Sequence, residues 1–66
     1  MEKLTAQNRE FILKELGYLR SQCHQEVREL QKPNIDWRMR SLAQNNLESA
    51  QFAISRYRET LKRGVW

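Results

Sequence analysis

The chain has 66 residues, a net charge of +4, one proline, two glycines and a single cysteine. That length limits it to one domain, which buries only about 60% of the surface its unfolded form exposes and is marginal as a monomer. One cysteine excludes an intrachain disulfide, and Cys23-His24 lacks the second ligand pair of a zinc site, so self-association is the stabilising device expected here.

The opening Met1-Glu2-Lys3-Leu4-Thr5 carries no apolar run of a secretion signal, and no stretch approaches the ~20 apolar residues of a membrane span. With a lone thiol that suits a reducing compartment, the expectation is a soluble, cytoplasmic protein without a membrane partner.

The first helical pattern runs over about 5–31. Ile12, Leu16, Leu19, Cys23, Val27 and Leu30 are spaced 4, 3, 4, 4, 3, one face of an α-helix. Leu4, Asn8 and Phe11 extend the stripe toward the N-terminus. Gly17 interrupts the pattern at up to ~1 kcal/mol against alanine. It either admits another backbone or is simply tolerated. Cys23 falls on the core stripe as an inert thiol, and His24 falls on a more polar side.

The break lies at 32–35. Pro33 removes a backbone donor and disfavours helix for the residue before it. The second helix runs over about 36–63. Asn34 or Asp36 can cap its start, Lys62 and Arg63 suit the negative end of its dipole, and Gly64 suits its C-cap. Its core stripe is Met39, Ala43, Leu47, Ala50, Ile54, Tyr57 and Leu61. Two helices, each roughly 40 Å long at ~1.5 Å per residue, joined by a short loop, predict an all-α antiparallel hairpin in one domain spanning 1–66. A lone hairpin leaves Phe11, Leu13, Tyr18, Trp37, Leu42 and Phe52 off or beside the two main stripes, and symmetric self-association is the commonest way to cover them.

The second helix also carries the charge. Residues 1–31 balance five basic against five acidic side chains, whereas residues 32–66 hold seven basic (five of them arginine) and three acidic. Arginine suits phosphate because its planar fork donates two parallel hydrogen bonds. At ~100° per residue, Arg38, Leu42, Asn45, Ser49, Phe52 and Arg56 fall in a wedge of about 80°, roughly 130° from the core stripe. Cations, amide, hydroxyl and an aromatic ring are the groups that hold a nucleotide. The same pattern suits a second packing stripe in a helical oligomer. There Leu42 and Phe52 are interface core, and the arginines pair with Glu48, Glu59 or a neighbour. Enzyme chemistry has no foothold: there is no Gly-rich phosphate loop, no nucleophile elbow and no paired acids in a metal pattern. Adjacent Cys23 and His24 diverge by about 100° on a helix. No catalytic residue, metal or cofactor is expected.

The run Arg40-x-Leu42-Ala43-x-Asn45-x-Leu47-Glu48-x-Ala50, preceded by Asp36-Trp37-Arg38 and followed by Arg56, resembles the hairpin of the phage cyclic-oligonucleotide sponges, the anti-CBASS and anti-Thoeris helical proteins. Asn45 stands where the family has threonine, and Gln51-Phe52 stands where it has Phe-Met. The resemblance implies a non-enzymatic sponge acting in an infected bacterial cell. Such a sponge binds cyclic di- or trinucleotides made by immune enzymes and keeps them from their effectors. It also implies a symmetric homo-oligomer, often a hexamer, with ligand held between protomers. The matched residues are Arg40, Asn45, Glu48 and Arg56. On physical grounds Arg40 and Arg56 suit phosphate, Asn45 a base edge or ribose, and Glu48, acceptor-only when ionised, an arginine or a base amino group. The face argument adds Arg38, Phe52 and Tyr18 as candidates.

Two other readings stand beside this one. A helical adaptor or inhibitor would bind a host protein through the Leu42/Phe52 face. A small basic nucleic-acid binder would lose affinity steeply with salt. Against DNA or RNA as partner, acids interrupt the basic face and no helix-turn-helix or zinc-finger pattern is present.

Overall fold

The structure is a computed structural model and describes residues 2–66. Two helices form it: α1 (Ala6–Leu30) and α2 (Trp37–Arg63). They pack against each other in an elongated hairpin of 47 × 17 × 13 Å.

Local chemistry sets each boundary. Thr5 caps α1 with a reciprocal pair: the Asn8 backbone N–H donates to Thr5 Oγ1 at 3.0 Å, and the Thr5 backbone N–H donates to Asn8 Oδ1 at 3.3 Å. Two of the free donors at the helix start are thereby satisfied. α1 ends at Leu30 with Gln31 as its C-cap, two residues before Pro33. Asp36, rather than Asn34, caps α2 by accepting from the Arg38 backbone N–H at 3.3 Å. Asn34 instead turns the chain with φ +61°, a conformation its short polar side chain tolerates better than most. Gly64 closes α2 at φ +74°, the left-handed conformation that favours glycine at a helix end.

The core is thin. Ile12 and Leu16 of α1 and Ala43 and Ala50 of α2 are buried. Leu19, Cys23 and Leu30, with Leu47, Ile54, Tyr57 and Leu61, are half-buried along the same seam. Most of the two predicted stripes thus lie along the seam between the helices. Three positions depart from them. Met39 is 51% exposed, Phe11 is equally so, and Val27 lies at the margin. A two-helix layer covers each helix on one side only, so an apolar side chain at the edge of its stripe meets nothing on its outer flank. Nothing lies within 4 Å of where a Cβ on Gly17 would stand, so no backbone approaches Gly17 within the hairpin.

The open end of the hairpin is tied by a clasp outside the helices. Lys3 and Val65 form an antiparallel bridge. The Leu4 N–H donates to the Gly64 carbonyl at 2.9 Å, and the Trp66 N–H donates to the Glu2 carbonyl at 3.1 Å. The left-handed turn at Gly64 makes this possible by directing Val65 and Trp66 back across the start of α1. No helix among the described residues is long and apolar enough to cross a membrane.

Candidate functional site

The polar wedge of α2 faces solvent along its length: Arg38, Leu42, Asn45, Ser49, Phe52 and Arg56 are all exposed. It divides into two clusters. Near the start of α2 the Arg38 guanidinium sits 5.5 Å from the centre of the Trp37 ring. Near the clasp the Arg56 guanidinium sits 5.8 Å from the centre of the Phe52 ring. A cation over an aromatic face is held by the ring quadrupole, which orients the guanidinium without consuming its hydrogen-bond donors.

The second cluster borders a groove of about 390 Å³ lined by Phe52, Ala53, Arg56, Tyr57, Thr60 and Trp66. The period of α2 brings the first five together, and the clasp delivers Trp66. Trp66 is fixed through its backbone to Glu2 and through its indole N–H, which donates to Asn8 Oδ1 at 3.4 Å. Three aromatic rings, two hydroxyls (Tyr57 and Thr60) and a guanidinium thus share one depression. Arg56 takes part in no ion pair among the described residues, whereas Arg63 is held by Glu59 at 3.0 Å and Lys32 by Glu29 at 2.8 Å. The donors of Arg56 are therefore available to an anion.

The structure does not gather every expected residue at one place in the hairpin. Arg40 and Arg56 are separated by about 24 Å along α2 and by roughly 160° around it, from 1.5 Å and 100° per residue. Asn45 shares the face of Arg56 but stands about 16 Å away along the axis. Glu48 accepts from Gln44 Nε2 at 3.4 Å and orients no arginine among the described residues. Tyr18 is 63% exposed on α1 and does not line the groove. Arg38 lies with Trp37 at the far cluster. Of the seven candidates, Phe52 and Arg56 alone meet at the groove.

Trp66 and Thr60 are groove residues that the helical patterns did not single out. The signal for Trp66 is its position: an apolar pair, Val65-Trp66, directly after a C-capping glycine marks a chain that turns back onto its own helix end. Cys23 is half-buried and His24 exposed, and no acid, His or Cys cluster among the described residues could hold a metal ion.

Comparison with protein-family models, curated proteins and solved structures finds no match to this chain.

Proposed function

We propose that this protein is a non-enzymatic sponge that assembles as a homo-oligomer, binds cyclic di- or trinucleotides and thereby blunts a bacterial immune signal. The observation that carries the reading is Arg56: an exposed guanidinium in no ion pair among the described residues, poised over Phe52 at the mouth of an aromatic groove. Cation and ring together match a phosphate and its base. The resemblance of 36–56 to the sponge family supplies the ligand class.

Surface area supports assembly. The protomer exposes 5512 Å², about 1,000 Å² more than the roughly 4,450 Å² expected of a folded monomer of 8.0 kDa. A typical stable interface buries about 800 Å² per partner. The excess, which follows from the elongated shape, is of the size that one copy laid along the hairpin would cover. Assembly also gives the reading its geometry, because Arg40 and Arg56 reach a common ligand only if they come from different protomers.

Native mass spectrometry of the purified protein, alone and with a panel of cyclic di- and trinucleotides, tests the proposal. The expected result is a discrete oligomer that gains whole numbers of one intact cyclic nucleotide. An oligomer that ignores the whole panel overturns the sponge reading. The exposure of Leu42 (53%) and Phe52 (64%) favours a second reading, a protein-binding face. That face would lose its partner on Phe52→Ala and be indifferent to salt.

A further inference from the structure

We infer that Trp66 is the base-stacking surface of the groove and that ligand binding holds the 2–4/64–66 clasp closed. The inference rests on the nucleotide-binding reading above but goes beyond the sponge resemblance, which covers 36–56 and does not reach either strand of the clasp.

Three observations combine. The groove, at about 390 Å³, has one guanidinium in its lining, in no ion pair among the described residues, and is otherwise walled by rings, methyls and two hydroxyls. That volume lies at the small end of ligand sites, generally 300–1,000 Å³, so it suits one nucleotide unit rather than a whole cyclic oligonucleotide. Charge complementarity selects the occupant: an apolar planar group bearing an anion fits a wall of rings beside an arginine, whereas a purely apolar ligand leaves Arg56 unanswered. Trp66 has the largest ring in the groove and remains 48% exposed, although its indole N–H and backbone N–H are both engaged. A ring pinned at its N–H edge and still about half exposed is preorganised for stacking, because little side-chain freedom remains to be lost on binding.

The coupling follows from connectivity. Trp66 reaches the groove only through the Lys3–Val65 bridge and its bonds to Glu2 and Asn8. An opened clasp removes that wall. A ligand that needs Trp66 binds the closed form alone and stabilises it by mass action. The clasp lies outside both helices and is held by the few bonds named above, so ligand-dependent protection is read there.

The test uses the Trp37→Phe protein, in which Trp66 is the sole tryptophan. Its emission is followed during titration with cyclic di-AMP, cyclic di-GMP, cyclic tri-AMP, AMP and GMP, with calorimetry alongside and hydrogen exchange of the Leu4 and Trp66 amides. The expected result is saturable quenching by a cyclic nucleotide together with slower exchange of both amides. The quenching disappears in Arg56→Ala, which leaves the clasp intact, and affinity falls about 10-fold or more in Trp66→Leu, the scale of one lost base–aromatic stack. If calorimetry shows a cyclic nucleotide binding while Trp66 emission, amide exchange and the Trp66→Leu affinity stay unchanged, the inference is overturned and the sponge reading stands. If only AMP or GMP quenches Trp66, the stacking site stands and the sponge reading falls. If no probe binds by either method, both are overturned.

Discussion

The Trp66 indole N–H donates to Asn8 Oδ1, an oxygen that already accepts from the Thr5 backbone N–H in the cap of α1. One side-chain amide therefore joins the start of the first helix to a residue 58 positions away. A local capping motif and a tertiary clasp share an atom, so disturbing either affects both.

Asn8→Ala removes half of the capping box and the acceptor for Trp66. The expected cost is about 1–2 kcal/mol, combining a lost cap contact with a lost hydrogen bond. In a domain this small that lowers Tm by about 4–8 °C per kcal/mol. Trp66→Phe, which keeps a ring but not the donor, costs less. Thermal melts of both single variants and the double variant give the coupling. The double variant should lose less than the two singles predict; strict additivity would show that the bond contributes nothing.

The two glycines should respond in opposite directions. Gly17 is exposed within α1 with open space around its missing Cβ, so Gly17→Ala stabilises by roughly 0.8–1 kcal/mol. Gly64 sits at φ +74°, where a new Cβ would meet only Arg9 Nη2 at an ordinary 3.8 Å. Gly64→Ala is therefore penalised through the backbone, by about 1–2 kcal/mol, and loosens the clasp that the turn directs. Melts at several protein concentrations separate a further effect: if Gly17→Ala lowers Tm and removes its concentration dependence, a second copy packs at Gly17.

Among the described residues, Ile12 is the only large side chain with no exposure. Ile12→Ala costs about 2–5 kcal/mol, comparable with the whole stability of so small a domain. Far-UV circular dichroism at 25 °C should show loss of most helix. Met39→Ala, at a side chain more than half exposed, should leave the helical signal and Tm nearly unchanged. A large loss on Met39→Ala would show that assembly buries it.

Arg56→Ala should weaken cyclic-nucleotide binding by about 10- to 100-fold, the range of one charge-assisted hydrogen bond, with the helical signal intact. Arg40 tests where the site is built. Its distance from Arg56 along and around α2 prevents both from touching one ligand within a protomer, so an equal loss in Arg40→Ala requires a site shared between protomers. An unchanged affinity in Arg56→Ala removes Arg56 from the site.

Sequence alone determined what depends on near neighbours. The helix period placed both seams, and Pro33, Asp36 and Gly64 marked boundaries that the structure reproduces within a residue or two. Hydrogen bonds from i to i+4 and caps within three residues are decided locally, so their signals lie side by side in the chain. The Phe52–Arg56 pair was legible for the same reason, being one helical turn apart. Tertiary structure alone decided the rest. Only packing showed that Met39, placed in the core stripe by its spacing, stays exposed, because that depends on what lies across the seam and beyond its edge. Only chain reversal at Gly64 brought Val65 to Lys3 and Trp66 to Asn8, and with them the wall that turns an exposed helix face into a groove. No periodicity encodes a contact across 58 residues; it exists because two helices of nearly equal length, folded back at Pro33, bring their outer ends together.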